Sequence, residues 1–484
     1  MNIPVSQRIV SRVTPRTERS RTLTYVATAL VTISVGLVAG LMAGNPASRI
    51  PPVAILAGAV GIIVMLVWYN LGRFEHGLMI MALSGGTLNS FTIGTGTESR
   101  IVISLVIAAF LVVVWAVQSL VNQRPMLRPS PINTPILAFI VVNIISLLWF
   151  FVMKDELVYV WGKFIATQLG ALAVNILLPV VALMVASNIR DVKWFRRLVG
   201  IILFLTTLNI VSKIFNLPTA AWIDNGSKGL FVMWGGVFVY AQMLVNRELS
   251  LTRKLLLALI FAGIVYYYVG LFSLWLSGWL PLFVAFLIVT FFYSRKLFFA
   301  LLIVGLILGT LKFNLLYEKI VTDNVNEGGL QRLELWSMNL AHVANHPLFG
   351  MGPAGYAPYN MFYHPLDARS THNNYFDVLA QTGIVGAICF LWLLVRLVRV
   401  GFSVQQAFAG KRNFEEMFAL ATFAGCIASI VAMALGDWVL PFAYNQSIAG
   451  FDNAQYTWIF YGCMVSLYLS TKRWTRADKP IYIG

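Results

Sequence analysis

Hydrophobic positions along the chain gather into long unbroken runs, not into alternation. About fourteen runs approach the ~20 residues that one helix needs to cross hydrocarbon. They fall near 23–43, 52–72, 77–95, 101–120, 133–152, 166–187, 197–216, 229–246, 254–272, 279–293, 297–315, 378–395, 415–436 and 456–471. The runs 77–95 and 279–293 are short or polar-tinged, which makes them candidates for re-entrant segments and leaves about twelve to fourteen spans. Lipid offers an isolated strand no hydrogen-bond partners, and a barrel would show short alternating segments. The pattern predicts an all-α, polytopic integral membrane protein.

Composition agrees. The chain is 59% hydrophobic and 11% charged, against about 25% charged in a soluble domain, and its mean hydropathy is +0.78. The first run follows a basic leader but exceeds the apolar core of a signal peptide, so it reads as a retained first helix. Cys389, Cys426 and Cys463 all lie in apolar runs and read as small packing residues, with no disulfide or metal spacing.

A net charge of +16 invites a nucleic-acid reading, and its distribution rejects one. When spans are numbered from a cytoplasmic N-terminus, 25 of the 35 Lys and Arg fall on the cytoplasmic side, from Arg8 to Arg21, at Arg190–Arg197, and on to Lys479. This positive-inside bias sets orientation; the charge is topological, in contact with membrane lipid, and no nucleic-acid partner is expected. The expected organisation is a cytoplasmic basic tail (1–22), eleven spans (23–315), one large extracytoplasmic loop (316–375), three further spans (376–471) and a cytoplasmic tail (472–484).

That loop concentrates the candidate chemistry. "GGLQRLELWSMNLAHVANHP" reads as a helix that begins after Gly328-Gly329 and ends near His346-Pro347, since proline disfavours helical geometry in the residue before it. "FGMGPAGYAPYN" reads as a Gly/Pro turn region. Four of the five histidines, His342, His346, His364 and His372, fall in this eighth of the chain, and histidine is the side chain suited to general-base work near neutral pH. His342 and His346 share a helix face, but the pair lacks a zincin Glu and a third ligand, so no metal is expected. A Ser-hydrolase elbow and a phosphate loop are absent. Arg332 and Trp336, at i, i+4, suit either a cation–π pair or an Arg free to grip phosphate. His372 sits among the capping types Ser370, Thr371, Asn373 and Asn374, and from these residues alone the preferred reading is a helix cap with the histidine a bystander. The hydrocarbon runs carry almost no ionisable residue, unlike those of ion-coupled carriers.

"RLELW" (332–336), "HPLFGMGPAGY" (346–356) and "THNNYFDVLAQTGIVG" (371–386) together resemble the O-antigen ligase / O-antigen polymerase superfamily. The hallmark of that family is matched by His372, Asn373, Gly383 and Gly386. The resemblance implies a metal-independent glycosyltransferase without cofactor in the bacterial plasma membrane, both termini cytoplasmic. It would act on the outer face in polysaccharide biosynthesis for the cell envelope. The implied partners are a polyprenyl-diphosphate-linked glycan as donor, undecaprenyl diphosphate being the lipid carrier, and a saccharide or lipid-anchored acceptor. His372 and Arg332 would be catalytic; Asn373, Asn374, Trp336 and Tyr375 would bind substrate. Many members carry a second Arg where this chain reads "LFSLWLSGWLPLF" (271–283), without Arg or Lys. Lys228 is the favoured replacement, ahead of Lys213, Arg100 and Arg369. The rival reading is a polysaccharide or lipid-linked oligosaccharide carrier of flippase type, against which the empty midplane and histidine-rich loop weigh.

Overall fold

Runs of Leu, Val, Ile and Phe become helices because a helix satisfies its backbone hydrogen bonds internally. The computed structural model describes residues 74–87, 92–94, 100–121, 123, 125–162, 164–217, 230–267, 276–311, 313–314, 317–318, 329–365, 370–444 and 448–477. The expected spans 23–43 and 52–72 lie outside them, as do Lys228 and Arg369. The chain divides into two compact units, residues 1–69 with 116–125 and residues 70–115 with 126–484. The candidate site belongs wholly to the second.

In chain order the first elements are α1 (Phe74–Thr87), β1 (Thr92–Gly94), β2 (Arg100–Val102), α2 (Ile103–Val121), α3 (Asn133–Met153) and α4 (Phe164–Asn188). Next come α5 (Val192–Ile214), α6 (Phe231–Val245), α7 (Leu251–Val265), α8 (Leu276–Tyr293) and α9 (Arg295–Leu311). The chain continues through α10 (Gly329–Asn345), α11 (Tyr356–Tyr363), α12 (Asn374–Phe408), α13 (Phe414–Met433) and α14 (Phe451–Ala477). The protein is an all-α, multi-pass membrane protein. Among the described residues six helices are long and apolar enough to span, namely α2 to α5, α12 and α13.

The short run 77–95 departs from a full span. Its helix stops at Thr87, and β1 and β2 then pair antiparallel with Thr92 opposite Val102. At about 1.5 Å per residue that helix is too short for a ~30 Å core. Polar and β-branched residues follow Gly85-Gly86, which favours the hairpin.

Helix α4 packs broadly on α14, α12 lies against α3, α13 and α14, and α8 bridges α6 and α13. Phe195 stacks on Phe418 at 4.8 Å inside this bundle. The outward faces of α3 and α9 carry Leu148, Val152, Ile303, Leu306 and Ile307 in the open, which is a lipid-facing surface. One end of the bundle is closed by an apolar plug that joins Phe150 and Phe164, at the facing ends of α3 and α4, to Val343 of α10, Met351, Tyr356 and Tyr359, Ala380 of α12, and Phe442.

Helix α10 begins and ends where the sequence predicts. The stretch 349–360 does not stay a turn throughout, because α11 starts at Tyr356. Pro358 lies in its first turn, where a missing N–H costs no helical hydrogen bond.

Candidate functional site

The segment from Ser370 to Asp377 turns the chain into α12. Asn373 is the N-cap, extended at φ −152° and ψ 113°; its Oδ1 accepts from the N–H groups of Tyr375 and Phe376 at 2.9 and 3.4 Å. A cap of this type contributes about 1 kcal/mol. Its Nδ2 donates to the Ala434 carbonyl at 3.2 Å. Asn374, fully buried, donates to the Leu440 carbonyl at 2.7 Å and accepts from the N–H groups of Val439 and Leu440 at 3.0 and 3.3 Å. In this arrangement both amides hold the start of α12 to the loop after α13. Tyr375 ties it to α13 itself, its hydroxyl donating to the Ile430 carbonyl at 2.8 Å.

His372 precedes the cap and is partly exposed. Its φ is +51°, the left-handed region that costs a non-glycine residue about 1–2 kcal/mol. The surroundings enforce it. The His372 N–H donates to Ser370 Oγ at 3.1 Å. On one side, the indole N–H of Trp336 donates to the Thr371 carbonyl at 2.8 Å. On the other, Thr371 Oγ1 donates to Asp377 Oδ1 at 2.5 Å, and the Tyr356 hydroxyl donates to the same oxygen at 2.6 Å. Tyr356 is itself held flat on Phe442, ring centroids 4.2 Å apart. Burial, and then the neighbouring Asp377, raise its phenol well above the usual tyrosine range, so it remains a donor. Asp437, also buried, accepts from the Phe442 N–H at 2.9 Å. Strain of this kind persists only where neighbours over-determine it.

Arg332 lies one helical turn before Trp336 and is partly buried. The Trp336 ring stacks on Phe376 at 5.0 Å, so α10 contacts the chain on both sides of the His372 turn. The structure therefore brings Trp336, Thr371, Asn373, Asn374 and Tyr375 into one polar end, with Arg332 a turn away on α10. Lys213 ends α5 with its ammonium 5.8 Å from the Tyr267 ring.

Gly383 explains the spacing of the motif. It sits inside α12 at φ +66° and ψ −169° and breaks the helix. A Cβ there would lie 2.3 Å from the Leu348 carbonyl oxygen. The break frees backbone groups that the "HPLFGMG" segment fills. The Ile384 N–H donates to the Pro347 carbonyl at 2.8 Å, the Met351 N–H to Ala380 at 2.9 Å and the Gly352 N–H to Gln381 at 3.0 Å. Ser146 of α3 donates to the Phe349 carbonyl at 2.7 Å, and Gln381 Oε1 accepts from the Ala354 N–H at 2.9 Å. Gly386 lets Thr382 approach, since a Cβ would lie 2.0 Å from its Oγ1.

The other loop histidines form a separate group. His342 lies 5.6 Å from the rings of both Tyr359 and Tyr363 and 5.9 Å from His364; His346 lies 5.2 Å from Tyr359. Burial first, then His364 and His346, lowers His342 to about 4. Burial also lowers His346, against the pull of Asp155. Among the described residues no three His, Cys, Asp or Glu converge as a metal site. Asp155 accepts from the Tyr363 hydroxyl, and its N–H donates to the Tyr359 hydroxyl at 3.0 Å.

Sequence reasoning missed Thr371, Tyr356, Asp377 and Gln381 as partners of the turn. A carboxylate in the first turn of a helix entering lipid, and a glutamine one turn further on, were the available signal.

Fold and site together define a polytopic helical membrane protein with a polar, histidine-bearing end built on a broken helix. Residues 238–391, from α6 into α12, match the family model of O-antigen ligase. Arg332, Trp336, His372, Asn373, Gly383 and Gly386 all lie within that match. Over these residues the chain is similar to the O-antigen ligase family. A search of curated proteins finds no match.

Proposed function

We propose that this protein transfers a glycan from a polyprenyl-diphosphate donor to a saccharide acceptor at the outer face of a bacterial plasma membrane, with the His372 end of the bundle outward. His372 takes the proton of the acceptor hydroxyl. The acceptor oxygen then bonds to the anomeric carbon of the donor sugar, and the bond from that carbon to the diphosphate oxygen breaks. Polyprenyl diphosphate leaves as an anion, so the site calls for a cation rather than a strong acid. Arg332 supplies it, gripping phosphate oxygens through its guanidinium. Asn373 and Asn374 serve this chemistry through the scaffold around His372, and Trp336 and Tyr375 wall the same end. Lys228 is the proposed second cation.

The observation that carries this reading is the left-handed turn at His372, held on one side by the helix that bears Arg332. The test is transfer by the full-length protein in nanodiscs with its host's lipid-linked glycan as donor. His372→Ala and Arg332→Ala are expected to abolish transfer while leaving the protein inserted and monodisperse. Full transfer by both variants overturns the assignment. The same assay with chelator tests independence from metal, and with varied acceptors it separates polymerase from ligase.

A further inference from the structure

Helix α10 carries two buried polar groups that the His372 turn does not use. Asn339 Oδ1 and His342 Nε2 have no hydrogen-bond partner among the described residues, although these residues are only 1% and 7% exposed. Asn339 spends its Nδ2 on the Leu335 carbonyl at 2.8 Å, which leaves the oxygen over. Residues 339 and 342 are three apart and share a helix face. Buried polar atoms are almost always satisfied by protein, water or ligand, and leaving one empty costs about 1–3 kcal/mol. Two such atoms, three residues apart on one face, call for a hydrogen-bonding partner beyond the described side chains.

The surroundings define its chemistry. Tyr359 and Tyr363 flank His342, and Tyr363 is 41% exposed, so a ring face is open at the rim. Asp155 fixes the Tyr363 ring by accepting from its hydroxyl. His364 adds a second imidazole at 5.9 Å. The nearby ammonium of Lys154 is engaged by the carbonyls of Asp155 and Val158, both at 2.9 Å. Among the described residues such a patch offers an amide oxygen, imidazoles and aromatic faces to its occupant, and the ammonium nearby is already held by carbonyls. Hydroxyl groups donate and accept, and the C–H face of a sugar ring suits an aromatic face.

We infer that Asn339, His342 and Tyr363 form a distal subsite for an uncharged sugar residue of the glycan. Ten helical residues separate Arg332 from His342, about 15 Å along the axis. The subsite then reads sugars well away from the diphosphate, and rests on the proposed function for its role in transfer.

The test is binding, which needs neither diphosphate nor turnover. The probe is the glycan released by mild acid from the host's lipid-linked repeat, tagged with a fluorophore at its reducing end and titrated into full-length protein in nanodiscs. Saturable binding is expected for wild type, weakened about tenfold, one or two neutral hydrogen bonds or one ring contact, in His342→Phe and in Tyr363→Ala. Tyr363 is at the rim, so Tyr363→Ala keeps the test decisive if His342→Phe does not fold. No binding by wild type, meaning that water alone fills the patch, overturns the inference. So does equal binding by wild type and Tyr363→Ala. If these variants lose glycan binding while wild type transfers nothing from the lipid-linked donor, the subsite stands and the transfer reading falls.

Discussion

The indole of Trp336 and the backbone of Thr371 are joined by a 2.8 Å hydrogen bond, so the helix that carries Arg332 is tied to the residue just before His372. The same indole stacks on Phe376, four residues beyond His372. Two contacts of one side chain thus bracket the turn.

Trp336→Phe separates those contacts, keeping an aromatic ring for Phe376 and removing the N–H. One neutral hydrogen bond is worth about 1 kcal/mol, so the thermal midpoint of the purified protein is expected to shift by only a few degrees. Transfer depends on sub-ångström placement, and kcat is expected to fall about tenfold with KM near the wild-type value. An unchanged kcat would show that this bond does not position the turn.

Two glycines with positive φ make an internal comparison. Gly410 has φ +85° and open space around it; Gly383 has φ +66° and the Leu348 carbonyl 2.3 Å from where a Cβ would stand. Gly410→Ala meets backbone strain alone, about 1 kcal/mol. Gly383→Ala meets that strain and backbone that has no room to move. Gly410→Ala is expected to melt close to wild type in fluorescence-detected size exclusion, and Gly383→Ala to lose most of its monodisperse peak. Equal midpoints would contradict the close docking of 346–352 on the broken helix.

The spans were legible because 20-residue apolar runs have one common solution in lipid, and α3, α4, α5 and α13 fall within a few residues of their expected bounds. The end of α10 was legible from His346-Pro347. The helix break was not. Gly383 stands out through the family hallmark, but nothing in "QTGIV" announces a break, and its φ is set by carbonyls from 347 and 348, which are distant in sequence. For the same reason the cap residues were visible while their partners were not. Asn374 looks like one more capping type, yet its amide is engaged by residues 439 and 440. The tie from Thr371 through Asp377 to Tyr356 likewise forms only once α11 has docked.

The depressed His342 predicts a pH dependence of stability. Unfolded, this histidine takes its proton near 6.5; folded, it resists until about 4. Between those values the unfolded state binds the proton and the native state does not, so the His342 contribution is complete above pH 6.5. It declines as pH falls toward 4. The thermal midpoint of wild type is expected to drop over that window. His342→Phe, which has no proton to take, is expected to show a shallower drop. Parallel curves for the two proteins would remove His342 from the acid sensitivity.

The last prediction concerns the shared oxygen of Asp377, which receives both the Thr371 and the Tyr356 hydroxyls. Tyr356→Phe keeps the stack on Phe442 and removes one donor; Thr371→Val keeps the shape and removes the other. Either single variant leaves the carboxylate one of these two donors, so each is expected to lose about 1–2 kcal/mol of stability and about tenfold in kcat as the His372 turn loosens. The double variant strips both donors from a carboxylate that is 1% exposed, and an unpaired buried acceptor costs more than two weakened bonds. Its loss in thermal stability is therefore expected to exceed the sum of the singles, the coupling that groups sharing one partner show. KM for the donor is expected to stay level throughout, since neither hydroxyl is assigned to substrate. Strict additivity in that cycle, with kcat unchanged in both singles, would mean that the turn keeps its left-handed form without Asp377.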